Sequence, residues 1–352
     1  MKISTEHRAL LMACTADDRN FESELRKWEE VQDINEIDFA TMRLIPYLYK
    51  KAKSLNVSMS NEGICRGLYL RAWYMLATVG SPSLEWVRER DQFNSAVILK
   101  GAAFQATIYG KDPPTRPADD LDLLIPSNAV DAALDTLEVA GLKVDHGLSR
   151  QSIRSLRNGS NLYGNHMAID VHWNLLPVSL DPTFTPRVLS RSVLVHGGLR
   201  TLCSTDHLLH TFMHGFARNE ILPIRWVLDA ALLVREGDID WDLFWKEVSL
   251  TGWHRVVRRQ IRFLLQFGVI VPEPVGQKFS SNWFLLISEW IVVSRALWVR
   301  RVLRVLGYDF ASWAQNNSMG LSLTNYWLNW PNWVALEFRE WKEYKEFRSN
   351  LK

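Results

Sequence analysis

The sequence predicts an α+β protein, a small mixed β-sheet core flanked by N-terminal and C-terminal helical subdomains. Three observations lead there. Apolar residues recur at three- and four-residue steps up to about residue 92, short apolar runs separated by turn formers occupy 93–200, and helical spacing returns at Ser204 and persists. The expected divisions are 1–92 (helical), 93–200 (the α/β core) and 201–352 (helical). No internal repeat or low-complexity linker separates them, so one body with the sheet clasped by helices is expected.

In chain order, Phe39, Met42, Leu44, Ile45, Leu48 and Tyr49 share one helical face, as do Leu68, Leu70, Trp73 and Leu76. Ala96–Leu99 reads as a short buried strand, Lys100-Gly101 as a turn, and Ala102–Tyr109 as a helix. Residues 110–119 form a loop by their prolines and turn residues, delivering the chain to an acidic strand that begins at Asp120. A helix then starts at Pro126-Ser127, with Ser127 as N-cap, and ends near Gly141. A strand at 143–145, a loop holding Gly159 and Gly164, and a second acidic strand, Met167–Trp173, follow. Helices are expected at 205–217, 222–236, 240–249, 252–268 and 282–306, with a charged helical tail at 333–349.

At 352 residues the chain has ample apolar material for two or three packed units, and its formal net charge of +2 creates no overall basic field. Cys14, Cys65 and Cys203 are odd in number and lack metal-ligand spacing, which suits a reducing compartment; the cytoplasm is expected. The N-terminus has no apolar export segment. Trp283–Val293 is broken by Glu289 and followed by Arg295, so it falls short of the roughly 20 residues a spanning helix needs, and no transmembrane segment is expected. Most of the 16 tryptophans lie after residue 225 and read as core-filling rings.

The chemistry concentrates in three acids. Side chains two apart on a strand share a face, so Asp120 and Asp122 would project together, and two adjacent carboxylates repel unless a cation compensates. Magnesium suits that role, because it takes a few carboxylate oxygens and completes its octahedron with water and phosphate. Asp170, among the apolar residues of the other acidic strand, would complete a site for two such ions.

The order of these pieces resembles the nucleotidyltransferase superfamily with the DNA polymerase beta-like fold, and within it a bacterial branch of poorly characterised nucleotidyltransferases. The likeness covers about 95 to 235: Leu99–Ala103 with Lys100 and Gly101, Arg116 upstream of Asp120–Leu124, Ile169–Trp173, and His214 followed by Arg225–Asp229. It implies that Asp120, Asp122 and Asp170 hold two Mg2+ ions and that a nucleoside triphosphate is the donor. Lys100, Gly101, Arg116, His172, His214, Arg225 and Asp229 would then line the nucleotide cleft. Many members have serine after the glycine as a triphosphate contact; here it is Ala102, and Lys100 or backbone N–H groups of the following helix would substitute.

Several residues have two readings. Arg116 would either hold phosphate bidentately or pair with Asp119 or Asp112. His172 would assist the acceptor's deprotonation or serve as a hydrogen-bonded structural histidine. His207, His210 and His214 at helical spacing invite zinc, yet apart from Asp206 no ligand set completes it. The arginines at 255, 258, 259 and 262, and at 300, 301 and 304, are solvated faces or a docking surface for RNA. The expected activity is transfer of a nucleoside monophosphate to the hydroxyl of a small molecule, a protein or an RNA end. A decayed nucleotide-binding scaffold and a γ-phosphotransferase are the alternatives.

Overall fold

Strands β1 (Val97–Ile98), β2 (Leu121–Leu124), β3 (Lys143–Val144), β4 (Gly159–Gly164), β5 (Met167–His172), β6 (Val193–Leu194) and β7 (Arg200–Thr201) form one mixed sheet. Their order is β3-β4-β5-β2-β1-β7-β6. The computed structural model describes residues 3–144, 150, 154, 158–164, 167–176, 181, 183–216 and 224–272. The helices expected at 282–306 and 333–349, the Trp283–Val293 stretch and Arg300, Arg301 and Arg304 lie outside the described residues.

The two acidic strands are neighbours. β2 and β5 run parallel, with Asp122 opposite Asp170 and Leu124 opposite His172, while β1 is antiparallel to β2 on its other side. Because side chains alternate across a strand, the sheet separates apolar and acidic positions. Leu121, Leu123, Ile169 and Val171 point into one core, shared with the helix Val130–Val139 through Val130, Ala133, Leu134 and Leu137. Each such fully buried aliphatic side chain contributes about 1.5–3 kcal/mol relative to exposure. Asp122 and Asp170 project from the opposite face, where Val97, Leu99 and Leu124 join a second core built with helices that precede and follow the sheet in the chain.

Those helices form where expected and for ordinary reasons. Thr5–Thr15 begins at Ser4, whose hydroxyl accepts from the His7 N–H at 3.1 Å, and Trp241–Thr251 begins at Asp240, which accepts from the Leu243 N–H at 2.9 Å. Trp241–Thr251 ends at Gly252, whose φ of 78° closes it in the left-handed region. Arg225–Glu236 is buried continuously from Trp226 to Leu233, so its Asp229 lies inside apolar packing. Among the described residues, no helix is long and apolar enough to cross a membrane.

Three local expectations change. The segment read as a loop around Gly159 and Gly164 is strand β4, paired along its length with β5; its glycine and asparagine content masks a strand held by register rather than propensity. β2 begins at Leu121, the first residue with a partner on β5, and Asp120 sits on the bend before it. The helix after Pro126 begins at Val130 with Ala129 at its N-cap, and Ser127 instead receives the Arg154 guanidinium at 3.0 Å.

Candidate functional site

At the centre of the sheet, one potential ligand atom each from Asp122, Asp170 and His172 lie within 4.8 Å of one another, a spacing at which one cation could touch all three. The register explains it: Asp122 and Asp170 are cross-strand partners, and His172 is two residues beyond Asp170 on the same face. Gly159 on β4 leaves room for the imidazole, since a β-carbon there would lie 2.8 Å from His172 Nδ1 and 2.7 Å from the Val171 carbonyl oxygen.

Asp122 is 1 % exposed. Its Oδ1 accepts from the Lys100 ammonium and from His172 Nε2, the latter at 3.1 Å. Oδ2 is buried without a hydrogen-bond partner, and so is Asp170 Oδ1. Burial alone would raise the Asp122 carboxyl, but Lys100 and His172 overcome it and hold the group well below the usual carboxylate range. Asp170 has no such help. Desolvation, then the Asp122 charge, push it up to about 7. Desolvation and Asp122 likewise raise Asp120.

Lys100 has a φ of 46°, in the left-handed region that costs a non-glycine residue about 1 kcal/mol or more. The strained residue at this turn is therefore the lysine. Gly101 is needed for a different reason: a β-carbon there would lie 2.4 Å from Ala118 Cβ, so only glycine lets the helix Lys100–Ala106 approach the loop that leads to Asp120. Burial works against the Lys100 charge, but Asp122 outweighs it and raises the ammonium's pKa.

The other sequence-selected residues form a second cluster. Arg116, 5 % exposed, meets Asp229 with two parallel bonds of 2.8 Å, from Nε to Oδ1 and from Nη2 to Oδ2. Tyr109 Oη adds a third at 2.8 Å, and Gln105 Nε2 donates to the Arg116 carbonyl at 2.8 Å. The Arg116 guanidinium lies over the Phe104 ring at 5.3 Å. Of the two readings, the ion pair is what this geometry contains, with Asp229 as the partner in place of Asp119 or Asp112. Arg116 and Arg225 both donate to the Pro117 carbonyl, at 3.2 and 2.5 Å, and so brace the loop that carries Asp120.

His214 stacks edge-on with His210 at 5.8 Å, and burial followed by the Lys100 charge pushes it down to about 3. It is thus a neutral ring within range of the lysine's charge. His207 lies flat on Phe104 at 4.6 Å. None of these three belongs to a candidate metal group among the described residues.

Asp122, Asp170, His172 and Lys100 are thus brought together, Asp120 borders them at the bend, and Arg116, Arg225 and Asp229 stand behind the loop. Sequence reasoning missed Tyr109, Gln105 and Gly159. A signal existed for the first two: an aspartate inside the apolar helix 225–236 demands buried donors.

The chemistry of the donor set fits a divalent cation: two carboxylates side by side, each with a buried oxygen lacking a hydrogen bond. Fold and site together define an α+β protein with a candidate divalent-metal centre on one face of a mixed sheet. The chain belongs to a family described as uncharacterised nucleotidyltransferase, whose model matches residues 90–266. That stretch contains the whole sheet and both acid clusters, while the helices of residues 5–75 that pack into the same core precede it. Membership supports transferase chemistry with a nucleoside triphosphate as substrate. No curated protein and no solved structure matches the chain.

Proposed function

We propose that the protein is a metal-dependent nucleotidyltransferase of the DNA polymerase beta-like kind, acting in the cytoplasm. It would move a nucleoside monophosphate from a nucleoside triphosphate to an acceptor hydroxyl and release pyrophosphate. The observation that carries this reading is the register pairing of Asp122 with Asp170, which leaves two buried carboxylate oxygens unsatisfied on one face. Asp122, Asp170 and His172 would hold one magnesium ion, and Asp120 at the bend would help hold a second. Bound there, the cations would neutralise the carboxylates and polarise the phosphate oxygens.

The chain's own residues set the stage for in-line displacement. The acceptor oxygen bonds to the α-phosphorus as the bond to pyrophosphate breaks, and the hydroxyl proton is lost to solvent. Lys100 keeps Asp122 ionised and offers an ammonium to a triphosphate oxygen. Arg116, fixed by Asp229, and Arg225 hold Pro117, so that Asp120 enters the site from a braced loop. Gly101 packs that loop close to the start of the helix Lys100–Ala106. Rate would come chiefly from positioning and charge neutralisation.

Incubation with magnesium, an acceptor panel and triphosphate labelled at the α or γ position tests the reading. Transfer of α-label with pyrophosphate release is expected. Transfer of γ-label would make the site a phosphotransferase. A second reading, a decayed scaffold, draws on the Lys100 ammonium already neutralising Asp122. It predicts triphosphate binding with no labelled product from any acceptor.

A further inference from the structure

We propose that the groove beside the Asp120 loop is a binding seat for a small organic anion with an apolar body. On the transferase reading above, on which this role rests, that anion is the acceptor. The groove lies between Phe39, Met42 and Pro46 on one side, Leu68 and Met75 on the other, and the loop 117–119 at its end. Its walls are apolar, but two guanidinium groups, Arg43 and Arg71, also line it. Both have donors to spare. Arg43 reaches Asp119 Oδ2 only at 3.5 Å, its Nε is buried with no hydrogen-bond partner, and its guanidinium lies over the Phe39 ring at 5.2 Å. Arg71 has no hydrogen bond or ion pair among the described residues.

Planar guanidinium forks against apolar walls recognise a carboxylate or phosphate carried on a carbon skeleton. The groove encloses about 60 Å³. At roughly 10–15 Å³ per water, that is space for about four to six waters, the size of one anionic head. The groove also leads to the chemistry: Ala118 and Asp119 line a second recess, which continues to Asp120 and to Ala168, two residues before Asp170 on β5. The donor's reacting phosphorus belongs at Asp122 and Asp170, beyond Asp119, so the groove holds the other substrate.

The test uses the full-length protein and three probes: phenyl phosphate, inorganic phosphate and phenol, titrated by calorimetry or ligand-observed NMR. Phenyl phosphate should bind best, because only it supplies both an anion and an apolar body. Arg71→Ala should weaken it about tenfold, the loss of one charge-assisted bidentate contact. Asp170→Asn should leave it unchanged. In turnover with an anionic acceptor, Arg71→Ala should raise KM and spare kcat. Absence of saturable phenyl phosphate binding overturns the proposal. So does binding indifferent to Arg71→Ala, or lost equally in Asp170→Asn, or displaced by a short RNA through Arg71. If no acceptor ever takes α-label while Arg71-dependent binding persists, the transferase reading falls and the anion seat stands. If label transfers without that binding, the seat falls and the transferase reading stands.

Discussion

Two buried acid clusters lie near one another in this molecule, and they differ in how fully they are satisfied. Around Asp229, both carboxylate oxygens accept from Arg116 and one also from Tyr109, while the Arg116 carbonyl takes Gln105. Around Asp122 and Asp170, one oxygen on each residue is buried without a hydrogen bond from the protein. A closed network specifies a structure, whereas an open one keeps donor atoms available for chemistry. Both clusters carry aspartates that sequence order alone had grouped together, so the bonding, and not the residue type, separates support from chemistry.

The largest expected effect comes from the open cluster. Asp170→Asn should lower α-label transfer at least about 1,000-fold, about 4 kcal/mol of transition-state stabilisation, with the melting temperature unchanged or raised because a crowded charge is removed. Asp122→Asn should match it in turnover but lose stability, since Lys100 is left half-buried without its counter-ion. Asp229→Ala tests the closed cluster and should show the reverse balance: a loss of about 3 kcal/mol in urea denaturation from stranding Arg116, with turnover falling only as the loop loosens. Chemistry abolished in a fully stable Asp229→Ala would break the comparison.

A pH titration of stability sharpens it further. Burial holds His207, beside the Asp229–Arg116 pair, down to about 4 from 6.5, so the unfolded chain binds a proton that the folded chain refuses. Stability should therefore fall as pH drops from about 6.5 to about 4, by on the order of 2–3 kcal/mol from this group. In His207→Phe, which keeps the stack on Phe104, urea midpoints across that range should flatten. The smallest effect is Gly101→Ala. Crowding Ala118 should cost about 1–2 kcal/mol and slow turnover by shifting the Asp120 bend, both measurable on one preparation.

Much of this was legible in advance, for identifiable reasons. The class of fold followed from periodicities, since helical spacing before 93 and after 204 leaves only the middle for a sheet. Asp122 and Asp170 were legible because an acid alternating with Leu or Ile on a short strand has nowhere apolar to go. Asp120 was harder: period two places it with Asp122, but pairing with β5 starts only at Leu121. Arg116 had two nearby acids as candidate partners and chose one 113 residues away. Strand β4 was hidden, because glycine, serine and asparagine signal a turn until a neighbouring strand supplies the hydrogen bonds.

By itself, then, the sequence determined which faces are apolar and which residues must carry charge among them, because side-chain periodicity and the cost of burying an ion are local properties. Tertiary structure alone decided who partners whom. Register set Asp122 opposite Asp170, a left-handed turn aimed Lys100 at Asp122 Oδ1, and helix packing gave Asp229 to Arg116. Those choices depend on distances between segments far apart in the chain, which no local pattern encodes.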